Sequence, residues 1–388
     1  MEQLLWVVFF LSSALFLWMF IGYPFVLWII SLWKNEPMRN PITPFVTAII
    51  CTYNEARTIE KRLINLLDQI YPSDRIEIIV VDSNSPDGTA DIVQKYIDQY
   101  PKRKIHLLKE ESRRGKVSAI NFGLSVANGN IIVLTDGPTI YNKDTIRLVV
   151  QNFADPSVGA ATGNFVKYDL EGEIFSQETE WVVFNFRKNL RKLESIVDST
   201  TWLSGELTCF RRKLVPSIPK SVIIDDVYIA MAVREQGFRV VVDERAVYTE
   251  KRPTIFKETI DIKRKSVIGS VQELVRFRKM LFSLKYRWYG LFILPARLLH
   301  FYLNPFILLA MAISFCWIFI KLGGISLFLA CVGLIALLIA LLGWLSHGKI
   351  LRPLIAFLLM EWIIISGLYI YIRGDYSAAW KQVTTTRS

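Results

Sequence analysis

Four stretches of this chain are almost empty of charge, and they limit what it can fold into more than any other feature. Residues 4–33, 301–320 and 322–346 carry no charged side chain, and residues 353–372 carry only Glu361. A helix crosses the roughly 30 Å hydrocarbon core of a bilayer with about 20 residues, so each stretch is long enough. One such run is compatible with a buried core helix; four in 388 residues predict an integral membrane protein. The 24 Phe, 15 Tyr and 11 Trp exclude a disordered chain. Segment 4–33 lacks a basic leader, and its apolar stretch far exceeds the roughly 7–15 residues of a signal peptide. It reads as an uncleaved anchor, and Pro24 predicts a kink within it.

The net charge of +11 is unevenly placed. Residues 34–250 hold 28 Lys/Arg against 29 Asp/Glu, whereas residues 251–290 hold 11 against 3. That second stretch interleaves its charges with apolar residues: Lys263, Arg264 and Lys265, then Arg276, Arg278 and Lys279, then Lys285, Arg287 and Trp288. The pattern predicts amphipathic helices on an anionic leaflet rather than a nucleic-acid surface. The positive-inside rule then places residues 34–290 in the cytoplasm of a plasma-membrane protein, with the N-terminus outside. Residues 287–302 leave a further short or re-entrant element open, and with it the side on which the tail lies. Cys51, Cys209, Cys316 and Cys331 show no CxxC spacing, so neither a disulfide framework nor a zinc site is expected.

From about residue 46 short apolar strands alternate with helices. FVTAIICTYN (45–54), IEIIVVDSNSPDGT (76–89), KIHLLKE and NIIVLTDGPTI read as strands, the first two running into turns. ARTIEKRLINLLDQI (56–70), ADIVQKYIDQY and VSAINFGLSVA read as helices. Fully apolar runs such as IIVV and IIVL belong to parallel strands buried on both faces. The order predicts an α/β, Rossmann-like, mostly parallel sheet with helices on both faces and a ligand beyond the carboxyl ends of its strands. Polar residues stand at those ends: Thr52, Tyr53, Asn54 and Glu55 after the first strand, Asp82 after the second, Asp136 after the fourth. No GxGxxG or GxxxxGK[ST] follows the first strand, which argues against a dinucleotide enzyme or a P-loop ATPase. Each acid alone is a common turn former; three on one rim suggest a nucleotide site.

These runs, together with RRGKVSAINFGLSVANGNIIVLTDGPTIY, resemble the donor half of a family 2 glycosyltransferase. WLSGELTCFRR (202–212), IIDDVYIAMAVREQGFRVVVDERAVYTE (223–250) and KRKSVIGSVQE (263–273) resemble the acceptor-side, ED and interfacial segments of its membrane-embedded branch, which includes hyaluronan, cellulose and poly-N-acetylglucosamine synthases. The resemblance implies a GT-A fold over 34–250, an anchor at 1–33, interfacial helices at 251–290, about three spans in 291–373, and a tail at 374–388. It also implies an inverting reaction with a UDP-sugar. Tyr53 and Asp82 would meet uracil and ribose, with Thr52 and Glu55 beside them, and Lys116 would lie near the diphosphate. Asp136 would bind Mg2+ or Mn2+ as the first acid of a DxD. Asp226 would be the general base, with Asp225 raising its pKa by like-charge repulsion. The plain alternative for Asp225 and Asp226 is an N-cap and first-turn acid of the helix that follows. Trp202 would stack on an acceptor sugar, or else serve as core, and Gly205 would let backbone approach. Lys263, Arg264 and Lys265 would lie at the interface.

Three departures matter. The DxD reads Asp136-Gly137-Pro138, the DD of the second strand reads Asp82-Ser83, and the QxxRW position falls on residues 262–266, without Gln or Trp. The last favours transfer of one sugar, or a short chain, to a lipid-linked acceptor. The arrangement of spans favours a processive polysaccharide synthase that also translocates its product. Pro138 motivates a third reading, a catalytically silent nucleotide-sensing subunit.

Overall fold

A computed structural model describes residues 2–166, 174–250, 255–345 and 351–376, with backbone alone for 174–184 and for most of 326–353. Eight strands form one sheet: β1 Val46–Thr52, β2 Ile76–Asp82, β3 Lys104–Lys109, β4 Ile131–Thr135, β5 Ile140–Tyr141, β6 Val158–Phe165, β7 Thr208–Arg211 and β8 Arg239–Thr249. Their spatial order is β3-β2-β1-β4-β7-β6-β8-β5. The expected parallel half is present, since β1 pairs in parallel with β2 and β4, and β2 with β3. The other half is mixed. β7 runs antiparallel to both β4 and β6, β6 is parallel to β8, and β5 closes the edge antiparallel to β8.

Helices α3 Ile59–Leu67, α4 Thr89–Gln99, α5 Lys116–Val126, α6 Thr145–Val150, α7 Ile174–Val197 and α8 Asp225–Glu235 accompany these strands. β1, β2 and β4 are buried along almost their whole length, because helices cover both faces. Ile50, Val80 and Val133 pack into one core with α3 and α6, while Ile49, Val81 and Leu134 pack into another with α5 and α8. α3 is shorter than its periodicity predicts, because the Glu55 carbonyl accepts the Thr58 and Ile59 N–H groups in a turn ahead of it.

The remaining helices are α1 Glu2–Leu17, α2 Tyr23–Ser31, α9 Phe256–Arg276, α10 Leu294–Leu298, α11 Asn304–Leu345 and α12 Leu351–Arg373. Among the described residues, three stretches are long and apolar enough to span a membrane: Glu2–Ser31, Tyr289–Ile325 and Leu354–Arg373. Residues 287–302, left open above, belong almost entirely to the second of these. α11 turns at Gly324, whose φ of 72° suits a residue without a side chain. Much of the third apolar run, residues 322–346, lies beyond that point, outside the described side chains. Three π-helical turns, Trp18–Gly22, Tyr289–Ile293 and Leu299–Leu303, end just before Pro24, Pro295 and Pro305. Proline has no N–H for the carbonyl four residues back and crowds it, so the preceding turn widens. The kink expected at Pro24 takes this form.

Candidate active site

Register sets the rim on which the site is built. Thr52 pairs with Asp82 across β1 and β2, and Ile50 pairs with Thr135 across β1 and β4. The carboxyl ends of these strands therefore lie side by side, and the residues beyond them share one edge.

Lys116 opens α5 directly after Gly115, whose φ of 95° is in the region that favours glycine. Its Nζ stands 3.0 Å from Asp136 Oδ1 and 3.3 Å from Asp225 Oδ2. Burial opposes the ammonium, but Asp136 and Asp225 outweigh it and hold Lys116 above the usual lysine range. Asp225 and Asp226 are the first two residues of α8, and the capping position is Ile224, which provides no side-chain bond. Neither acid is an N-cap. The Asp226 carboxylate accepts the Val227 N–H at 2.7 Å. Burial first, and Asp225 second, push Asp226 up to about 7. The groups converge at Gly205. A Cβ there would lie 3.6 Å from Asp136 Oδ2, 3.7 Å from Lys116 Nζ and 4.0 Å from Asp226 Oδ2.

The other predicted donor residues are placed differently. Asp82, 2 % exposed, accepts from Thr52 Oγ1 at 3.2 Å, from Ser85 Oγ at 2.5 Å and from the Ser85 N–H at 3.0 Å. It builds the turn after β2, with Thr52 equally buried beside it. Asn54 and Asn84, which follow β1 and β2, have φ of 55° and 60°; asparagine tolerates that region better than most residues. The Arg113 guanidinium covers the Tyr53 ring at 4.1 Å. Glu55, 1 % exposed, accepts the Thr58 hydroxyl. It lies so close to Gly137 that a Cβ there would come within 2.9 Å of its carboxyl carbon. Glu55 thus packs under the Asp136–Pro138 loop.

Motif reading passes over Arg62, which clamps the same loop. It is fully buried, donates to Thr135 Oγ1 at 2.6 Å and to the Thr139 carbonyl at 2.9 Å, and lies 4.0 Å over the Tyr141 ring. Its signal in the sequence is an arginine on the apolar face of α3, among Ile59, Leu63 and Leu66.

A cavity of about 330 Å³ adjoins the carboxylates and includes Asp226, Ser204 and Trp202 in its wall. Arg191 and Arg297 lie over the Trp202 ring at 5.0 and 4.4 Å. Lys263 reaches the same cavity from α9. Arg264 instead joins α9 to α12, with its Nε 2.9 Å from Ser366 Oγ and its guanidinium over Trp362. Lys265 faces the cluster. Burial and then Lys116 hold its ammonium below the usual range, while Asp225, Asp136 and Asp226 oppose them.

The donor set can be weighed against a divalent cation. Among the described residues no three acids, histidines or cysteines gather as a ready-made metal site. Asp136 contributes one carboxylate, whose Oδ1 meets Lys116 while Oδ2 faces the gap at Gly205. This fits a cation that takes its remaining ligands from a diphosphate and water, not one caged by protein alone.

A family model described as "Glycosyl transferase family 2" matches residues 47–215. Poly-beta-1,6-N-acetyl-D-glucosamine synthase of Staphylococcus aureus (strain COL) is 26% identical over 202 residues, covering 50% of this chain and 47% of that protein. The probable glycosyltransferase YdaM of Bacillus subtilis (strain 168) is 26% identical over 254 residues, 62% of this chain and 59% of its own. The chain thus spans about half the length of the curated relatives it matches. A solved structure, mannosyltransferase PcManGT from Pyrobaculum calidifontis in complex with GDP-Man and Mn2+, is 27% identical with a TM-score of 0.73. That likeness covers 95% of this chain and 100% of the solved one. Domain match, relatives and architecture agree: residues 47–215 are a glycosyl transferase family 2 domain.

Proposed function

We propose that this protein is a membrane-bound inverting glycosyltransferase that moves a sugar from a UDP-sugar to a lipid-linked acceptor at the cytoplasmic face. The observation that carries the reading is the convergence of Lys116, Asp136 and Asp226 on the open space at Gly205. Transfer with inversion needs an acceptor hydroxyl oxygen to attack the anomeric carbon as the bond to the diphosphate oxygen breaks. Asp226 takes the hydroxyl proton, which suits a carboxyl held near neutrality. Lys116 answers the negative charge that develops on the departing diphosphate. Asp136 would hold Mg2+ or Mn2+, which supplies further charge neutralisation there when bound. An acid at the proton-accepting position and an intact lysine–carboxylate pair support an enzyme over a silent sensor.

Two points of specificity have competing readings. The solved mannosyltransferase carries GDP-Man, which makes a GDP-sugar the rival donor. The Staphylococcus synthases make a growing polysaccharide the rival acceptor. Nucleotide release from a panel of UDP- and GDP-sugars, with the purified chain in detergent, tests the activity and identifies the donor. Release from none of them rejects the enzyme reading. Sizing the product on the active donor separates single transfer from polymerisation.

A further inference from the structure

The cavity beside Asp226 continues beyond the carboxylate site. Its wall also includes Leu294 and Leu298 of α10 and Met360 and Ile364 of α12. One space therefore joins Asp226 to the apolar helices α10 and α12, and its volume of about 330 Å³ lies within the roughly 300–1,000 Å³ of ligand pockets.

The same wall carries three guanidinium groups, Arg187 and Arg191 of α7 and Arg297 of α10. Two aromatic rings hold them. Trp202 and Phe301 meet edge to face at 5.5 Å, with Arg191 and Arg297 over the first, and Arg187 and Arg297 over the second at 4.7 and 5.2 Å. One carboxylate is in direct contact with this group: Glu194 meets Arg297 at 2.6 Å, while Glu361 acts on Arg187, and Asp226 and Glu206 on Arg191, at longer range. Among the described residues, neither Arg187 nor Arg191 has a carboxylate in direct contact. Arg191 reaches Ser204 Oγ at 3.3 Å and the Trp202 carbonyl at 3.5 Å, and its Nε has no hydrogen-bond acceptor. Arg297 is 3 % exposed, and its Nη1 likewise lacks an acceptor. Burial pushes the Arg187 guanidinium down to about 10, and the like charge of Arg297 adds to the effect. Cations desolvated without counter-ions oppose folding. Stacking on aromatic rings recovers part of that cost; a bound anion recovers more.

We infer that Arg187, Arg191 and Arg297 bind the phosphate of an acceptor whose lipid tail lies along α10 and α12. The chemistry selects this occupant. Guanidinium forks match phosphate oxygens in pairs, whereas a neutral polysaccharide gives buried cations nothing to neutralise. An inorganic ion has no use for a wall that runs on into leucine, methionine and isoleucine. The phosphate serves as the anchor; the attacking hydroxyl belongs to the sugar it carries, and its proton still passes to Asp226. The inference deepens the proposed function and rests on it for the point of transfer, while the binding itself is measured independently.

The test uses the full chain in neutral detergent and three probes: dodecyl phosphate, dodecanol and inorganic phosphate. Dodecyl phosphate is expected to bind at least 10-fold more tightly than either of the others. The double variant Arg187→Gln/Arg191→Gln should weaken it at least 10-fold, and Arg187→Lys/Arg191→Lys should keep most of the affinity. Without ligand, the glutamine variant should melt no lower than the native protein, since it sheds uncompensated charge; a purely structural role makes it melt lower. Inorganic phosphate or dodecanol binding as tightly as dodecyl phosphate overturns the inference, as does unchanged binding by the glutamine variant. Failure of the glycosyltransferase reading would appear elsewhere, as no nucleotide release from any donor while dodecyl phosphate still binds.

Discussion

At Asp226 burial and a neighbouring carboxyl both work against ionisation, which separates it from an ordinary first-turn acid. A carboxyl raised in the folded state costs stability only once it ionises. The penalty is absent below its unfolded value, grows as pH rises to about 7, and is complete above that. Asparagine keeps the shape and can still accept the Val227 N–H, but cannot take a proton. Asp226→Asn is therefore expected to lose turnover by on the order of 10²–10⁴-fold, with nucleotide-sugar binding nearly unchanged. The same variant should melt above the native protein at about pH 8, and the gap should close toward about pH 4. Native turnover should rise with pH through about 7. Near-normal turnover in a folded Asp226→Asn protein rejects the assignment and makes Asp225 the next candidate. A second expectation concerns the cation. With Pro138 in place of the second acid, Asp136 alone gives a weak hold, so activity should require free Mg2+ or Mn2+ and vanish on chelation. Full turnover after exhaustive chelation rejects a role for Asp136 as ligand.

The elements around the site divide into those that carry the groups proposed to react and those that hold them. β4 delivers Asp136, α5 delivers Lys116 and α8 delivers both acids; α3 delivers nothing to the reaction but fixes the loop through Arg62. Positioning residues of this kind typically cost 10–100-fold in activity or metal affinity when lost. Arg62→Met should thus weaken the apparent metal affinity by on the order of 10-fold, while leaving Asp226's pH dependence in place; an unchanged metal titration would show the clamp to be structural only. Strands and helices of the donor half were legible in the sequence, because fully apolar strands and amphipathic helices have different periods. Their ends were less so: α3 starts after a turn that Glu55 accepts, and α8 begins at Asp225, two residues before the apolar run suggests. The hydrogen bonds that Asp82 accepts from Thr52 and Ser85 were not legible either. An acid at a strand end has the same pattern whether it faces a ligand or accepts bonds from its own turn.

Over the whole molecule a third core ties the catalytic sheet to the apolar helices. Tyr23 and Leu27 of α2, Leu190 of α7, Met231 of α8 and Ile293 before α10 pack together. A buried polar knot crosses it: Glu194 of α7 accepts the Tyr23 hydroxyl at 2.7 Å and contacts Arg297 of α10 at 2.6 Å. Removing one partner of a buried pair leaves the other charge uncompensated, so Glu194→Ala should cost about 3–5 kcal/mol, read as a marked drop in melting temperature in detergent. A negligible change would mean that the apolar contacts alone set how the helices sit. Charge-free length made the helices long and apolar enough to cross a bilayer readable from the sequence, because crossing demands about 20 apolar residues in a row. Local order likewise announced the parallel half of the sheet and the acids on its rim, since strand period and turn chemistry are properties of neighbouring residues. What only the tertiary structure decided involves residues far apart in the chain. Lys116 comes to lie between Asp136 and Asp225, Arg62 clamps a loop more than seventy residues away (|i−j| of 73 and 77), and three arginines from two helices surround one cavity. Periodicity records which face of an element is buried; which distant side chain it meets there is fixed only when the elements pack.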